Sequence, residues 1–185
     1  GSFMTAFTAS GADYHMAVIT TDQYQFNTII DSTHPNPEIA LSSLVMTGTY
    51  GSGNEKGIEM VERSLGVISA AGPGGSFFRQ DAKLVVIFVS DEPDHSIGGW
   101  MSYLNFFDNI KPIGDFIPYG VIGDPPSGCG QGFSGAQYGR GYWDLIDYYS
   151  GSWYSICASD WGVQLQDLAG EVTGRRIFVL EEADP

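Results

Sequence analysis

Positive charge is what this sequence has least of: eight lysines and arginines stand against 22 aspartates and glutamates, a formal net charge of −14. A surface that negative repels phosphate backbones and anionic lipid headgroups, so nucleic acid and membrane surfaces are poor partners and cations or basic proteins are good ones. Solubility alone also accounts for such a charge, so acidity permits cation binding without specifying it. Long apolar runs are missing too. None approaches the roughly 20 residues of a membrane helix, and no basic-then-apolar leader opens the chain. The expectation is a soluble piece whose targeting signal lies outside it. Two catalytic signatures are absent. Gly132-Phe133-Ser134-Gly135-Ala136 lacks the last glycine of a nucleophile elbow, and no Gly-Lys-Ser/Thr phosphate loop occurs.

What is present is enough for a core. The 185 residues are 43% hydrophobic and 14% aromatic, which excludes a disordered chain and favours one domain, residues 1–185, over two. No internal repeat, linker or low-complexity stretch divides it. The two cysteines, Cys129 and Cys157, flank a Gly/Ser/aromatic-rich region and lack redox or zinc spacing. Two readings fit them. One is a disulfide worth roughly 3–4 kcal/mol, which would place the chain in an oxidising, exported setting; the other is a pair of unrelated buried thiols.

Four apolar runs read as strands. Leu84-Val85-Val86-Ile87-Phe88-Val89 is the strongest, apolar on both faces and cut off at Ser90-Asp91, as befits a strand inside a parallel sheet covered by helices. Met16 to Ile19, Phe116 to Ile122 and Ile177 to Leu180 are the others. Gln25 to Asp31 follows its predecessor so closely that it must pair antiparallel, at an edge. Helical periods fall between. Ile58, Val61, Leu65 and Ile68 share one face of a helix from Asn54 to near Gly72. Trp100, Leu104 and Phe107 mark a second, Tyr142, Leu145, Ile146 and Tyr149 a third, and Trp161, Leu165, Leu168 and Val172 a fourth, capped by Ser159 or Asp160. The alternation predicts an α/β fold: a doubly wound, mostly parallel central sheet with helices on both faces and one antiparallel edge strand.

In open α/β sheets ligands bind beyond the carboxyl ends of the strands. Ser90-Asp91-Glu92-Pro93-Asp94-His95 puts three carboxylates within four residues there. Gly51-Ser52-Gly53-Asn54-Glu55 opens the helix that descends to the same strand, so connection geometry brings Ser52 and Asp91 to one rim. Asp91 with Ser52, Asn54 and Glu55 forms an all-oxygen candidate metal set, suited to Mg²⁺, Ca²⁺ or Mn²⁺ and not to zinc or copper. A plainer reading stays open: Ser52-x-x-Glu55 is also a capping box, and Asp94 or Ser96 suits the cap of the following helix. The glycine-rich stretch from Asp124 to Gly139 emerges on the same edge, either as a partner-binding surface or as a solvated excursion.

These residues resemble a known family. The strand ending Val89-Ser90-Asp91-Glu92 after a Gly-Ser-Gly helix start looks like a von Willebrand factor type A domain, and in particular the secreted bacterial forms. Thr20-Thr21-Asp22, the Gly51-to-Glu55 helix entry and Ser155-Ile156-Cys157 are similar to segments of those forms, in the same order. The resemblance implies a metal-ion-dependent adhesion site built from three loops, with Mg²⁺ or Ca²⁺, a protein partner and a cell-surface or secreted location. Asp91 matches the third loop's aspartate. Ser52 or Asn54 stands where the second loop carries threonine. The first loop's Asp-x-Ser-x-Ser does not occur. Phe3 to Phe7 looks like the tail of the family's first helix and Glu181 to Pro185 like a sequence cut mid-course. The resemblance therefore implies a sheet lacking its first strand, supplied either by a longer parent chain, the preferred expectation, or by another subunit.

Two rival classes remain. A metal-dependent hydrolase would use Asp91, Glu92, Asp94 and His95, yet a hydrolase normally draws ligands from several strand ends, and His15 and His34 fall in a strand and a turn. A structural subunit of a surface or filament assembly fits the acidic, aromatic composition, and a strand donated by a neighbour would favour it. The preferred expectation is an extracellular adhesion or protein-binding domain, not an enzyme.

Overall fold

A computed structural model describes residues 3–26, 28–46, 53–70, 77–130, 135–159 and 161–173; the side chains of 67–70 and 161–163 fall outside this description. The elements are α1 (Phe3–Ala9), β1 (His15–Met16), β2 (Ile30–Asp31), α2 (Pro37–Val45), α3 (Gly57–Ala70), β3 (Leu84–Ser90), a 3₁₀ turn (Trp100–Tyr103) continuing into α4 (Leu104–Ile110), β4 (Phe116–Ile122), α5 (Tyr142–Tyr148), β5 (Trp153–Ser155) and α6 (Trp161–Val172). The chain is thus mixed α/β. Three parallel strands in the order β3-β4-β5 form one sheet, and β1 and β2 form a separate antiparallel pair.

The register of β3 on β4 runs without a break from Leu84↔Phe116 to Ser90↔Ile122. Side chains alternate across a strand, and the sequence obeys this. Leu84, Phe88, Phe116 and Ile122 enter one core with Ile58, Val61 and Leu65 of α3, Phe107 of α4 and Tyr142, Leu145 and Ile146 of α5. Phe107 is fully buried and stacks on Phe116 with ring centroids 4.4 Å apart. Tyr119 lies on the other face, where Ser152 donates to Glu171 of α6; burial first, then the Glu171 charge, pushes the Tyr119 phenol up to about 12. Helices therefore flank both faces of the three-stranded sheet. A second apolar cluster, built on Met4, Phe7, Tyr14, Ile30 and Ala169, joins α1 and α6 to the β1–β2 pair and shares no residue with the first.

Several expectations need correction. The run from Met16 to Ile19 yields only His15–Met16 as strand, and Gln25 to Asp31 only Ile30–Asp31. A strand needs a partner for its N–H and C=O groups, and this pair extends over two residues only. The antiparallel strand accordingly belongs to a separate two-stranded sheet and not to the edge of the parallel one. The helix expected from Asn54 begins at Gly57 and is described as far as Ala70; its expected end near Gly72 lies outside the described residues. α2, which starts with Pro37 at its first turn, and the three-residue strand β5 carry too little periodicity to be read from sequence. The run from Ile177 to Leu180 and the cap residue Asp160 lie outside the described residues.

Candidate functional site

The carboxyl end of β3 runs into Asp91, and α3 begins directly above it. The sequence leaves the first turn of α3 without a local cap, because the residue before Gly57 is Lys56. Its free N–H groups are capped from elsewhere in the chain. The Tyr142 hydroxyl accepts from Gly57 at 3.0 Å, Asp94 Oδ1 from Ile58 at 3.3 Å, and Ser96 Oγ from Glu59 at 2.9 Å. Glu55 precedes the helix by two residues and so is not in the first turn of α3, while Ser52, the other half of the expected capping box, lies outside the described residues. Asp94 and Ser96 cap α3 and not the helix that follows them. Asp94 also accepts from Ser96 Oγ at 2.8 Å and from the Ser96 N–H at 3.2 Å. Burial holds its carboxyl above the usual range, opposed by those hydrogen bonds. Gly141 fits against it with φ +90°, where a Cβ would lie 2.7 Å from Asp94 Cβ.

Released from capping, the Glu55 carboxylate turns to the strand end and accepts a hydrogen bond from Ser90 Oγ. Its backbone carbonyl accepts from the His95 N–H at 2.6 Å, and the neighbouring Lys56 N–H donates to the Thr21 carbonyl at 3.2 Å. These bonds gather the 20–22 turn, the entry to α3 and the end of β3 at one rim. Burial raises the Glu55 pKa most; the Ser90 bond opposes it, and the charges of Asp91, Glu92 and Asp22 add to the rise. Glu55 is half-buried while Asp91 is exposed. Their meeting is what connection geometry requires of a helix feeding a parallel strand.

Of the four candidate metal residues, Glu55 and Asp91 share this rim, Asn54 is exposed beside Glu55, and Ser52 lies outside the described residues. Among the described residues no group of three or more histidine, cysteine, aspartate or glutamate side chains is arranged to hold a metal ion. The rim nevertheless fits a hard cation in kind. Its donors are all oxygen, and like charges crowd Glu55 in a way that a cation would relieve.

The loop after β4 reaches the same edge. The Gln137 N–H donates to the Asp91 carbonyl at 2.8 Å, Gly139 N–H to Gly123 at 3.0 Å, and Cys129 and Ala136 exchange two backbone hydrogen bonds. Residues 131–134 at its tip lie outside the described residues. A disulfide joins Cys129 to Cys157, tying this loop to the turn after β5. An open depression of about 430 Å³ lies along it, lined by Ser127, Gly128, Cys129 and Gln137 among others. Asp124, two residues beyond β4, has its Oδ1 buried without a hydrogen-bond partner. Sequence reasoning placed Ser90 and Asp124 at this edge without giving either side chain a role, and did not bring Asp22 to it; the signal for Asp22 was a polar residue just beyond the end of an apolar run.

Fold and rim together define a layered α/β domain with acidic side chains gathered at strand carboxyl ends. No family model, curated protein or solved structure matches the chain. Among the described residues no helix is long and apolar enough to cross a membrane.

Proposed function

We propose that this chain is an extracellular protein-binding domain of the von Willebrand factor type A kind, which engages its partner through a divalent cation held at the acidic rim. One observation carries the reading: Glu55, half-buried and hydrogen-bonded to Ser90, sits within electrostatic reach of Asp22, Asp91 and Glu92. Packing four carboxylates near one strand end is costly unless a cation offsets it. Glu55 and Asp91 would contribute oxygen ligands, with Ser52 and Asn54 as the further candidates, and Mg²⁺ or Ca²⁺ matches that chemistry. A bound cation would supply a positive charge with open coordination positions, which an acidic group of a partner protein can fill. The disulfide supports an oxidising location, secreted or at the cell surface. Asp94, needed by the hydrolase alternative, is instead spent on capping α3.

The test is a calorimetric titration of the chain with MgCl₂ or CaCl₂. Saturable binding that disappears in Asp91→Ala, with an unchanged circular dichroism spectrum, is the expected result. Asp91 is exposed, so its loss leaves the fold intact. No heat of binding in the parent chain, or equal binding by the variant, overturns the proposal.

A further inference from the structure

The loop after β4 is held by two kinds of link. Backbone bonds close its base, from the Gly139 N–H to the Gly123 carbonyl at 3.0 Å and from the Gly128 N–H to the Asp124 carbonyl at 2.6 Å. Backbone bonds also tie its returning leg to the rim: the Gln137 N–H donates to the Asp91 carbonyl, and the Asp94 N–H to the Arg140 carbonyl, both at 2.8 Å. The outgoing leg, residues 124–130, is fastened to the turn after β5 by the covalent bond from Cys129 to Cys157.

The two sulfurs of that bond stand in different surroundings. Cys157 is exposed and Cys129 is half-buried. Cys157 lies on a turn anchored to the sheet, where the Ile156 N–H donates to the Ile122 carbonyl at 2.9 Å. Ser155, the last residue of β5, accepts from the Cys157 N–H at 3.2 Å and directs its own O–H to Cys129 Sγ at 3.8 Å. Thiol–disulfide exchange needs one accessible sulfur to attack and another that leaves readily. Here the two requirements fall on different cysteines. Cys157 meets the first by exposure. Cys129 meets the second, because a hydrogen bond to the departing thiolate stabilises its charge and lowers the pKa of the leaving thiol.

We propose that the Cys129–Cys157 bond is a site of thiol–disulfide exchange, at which a dithiol reductant attacks Cys157 and frees the 124–130 leg from the turn after β5. The attacking thiolate bonds to Cys157 Sγ as the bond between the two chain sulfurs breaks. The electron pair leaves on Cys129, where the Ser155 O–H steadies it until a proton arrives from solvent. The second thiolate of the reductant then attacks the reductant's own sulfur in the mixed disulfide and expels Cys157, which is protonated in turn. The dithiol ends as a disulfide, and the chain gains two electrons and two protons. The turn bearing Cys157 stays on the sheet through Ile156, whereas the freed leg loosens the backbone pair of Cys129 with Ala136 and the Gln137 bond next to it. None of this chemistry requires a cation at the rim.

The experiment uses the whole oxidised chain under native conditions and cysteamine, a monothiol whose positive charge suits the acidic surface. Free thiols are trapped with iodoacetamide at early times and adducts are mapped by fragment mass spectrometry. The adduct forms on Cys157, with the alkylated thiol on Cys129. Ser155→Ala slows this step by about threefold or more, and Ser155→Thr, which keeps the hydroxyl, restores it. After complete reduction by dithiothreitol, amide exchange quickens at Cys129, Ala136 and Gln137 and is unchanged at Ile156 and along the β3–β4 ladder. Should Ser155→Ala fail to fold, adduct mapping and the exchange pattern of the parent chain decide. An adduct on Cys129, or equal rates in the parent and Ser155→Ala, overturns the proposal. So does reaction no faster than global unfolding, or exchange that quickens throughout the chain, either of which makes the disulfide a clamp on the whole fold. Unchanged exchange at the three amides overturns it equally.

Discussion

β3 and β4 are adjacent, equally long and paired residue for residue, yet they are buried in inverse order of their hydrophobicity. β3 is Leu-Val-Val-Ile-Phe-Val-Ser and keeps three of its seven residues half-buried and Val89 exposed; β4 contains Pro118, Tyr119 and Gly120 and is buried at six of seven positions. Composition does not explain this, but position does. β4 has strands on both sides, α5 against one face and α6 near the other, while among the described residues β3 is paired on one side only. An unbroken apolar run belongs in a sheet interior, so β3 has the sequence of an interior strand, although among the described residues it pairs on one side only. The acidic rim shows a comparable crowding at the level of charge, with Asp91, Glu92 and Asp22 all adding to the raised pKa of Glu55.

That contrast can be broken by substitution. The largest loss is expected on the β4 side: Phe107→Ala removes the ring stacked on Phe116 and costs about 3–5 kcal/mol in urea denaturation. Lys111→Met, which strands three backbone carbonyls at the foot of β3, costs about 1–3 kcal/mol and loosens the junction with the 13–22 segment, read as faster amide exchange at His15 and Phe77. A matched pair of valines sharpens the comparison. Val121→Ala in β4, at 1% exposure, costs about 2 kcal/mol, whereas Val89→Ala in β3 changes stability by no more than about 0.5 kcal/mol. Equal losses would mean that β3 is as enclosed as β4.

The smallest effect is at the rim and depends on pH. Burial and neighbouring charges raise the Glu55 pKa in the folded chain. Between its unfolded and folded values the folded chain holds the extra proton, so stability falls as pH rises through that window. Glu55→Gln removes this slope and gains a few tenths of a kcal/mol near neutrality in metal-free buffer, a figure kept small because the group is partly solvated. Urea midpoints at pH 4, 5.5 and 7 check the sign.

Much of this was legible in the sequence. The runs ending at Ser90 and Ile122, the helical faces of Ile58, Leu65 and Tyr142, and the meeting of Glu55 with Asp91 all follow from periodicity and connection rules, because each element carries its own pattern. What escaped depended on distant partners. The cap of α3 comes from Asp94, Ser96 and Tyr142, between 36 and 85 residues away, which no local spacing reveals. The strand at Met16 was over-read for the reciprocal reason: its apolar residues advertise a strand, but only two of the described residues find a partner in β2. β5 was missed because Trp153-Tyr154-Ser155 is too short for alternation to show.

The most direct measurement is the carboxyl carbon resonance of Glu55, followed by NMR against pH with and without CaCl₂. The account predicts a titration midpoint above that of an ordinary glutamate in the absence of cation, and a marked fall of that midpoint when Ca²⁺ is added. An ordinary midpoint that Ca²⁺ leaves in place would contradict both the convergence of acidic groups at this strand end and the role assigned to it.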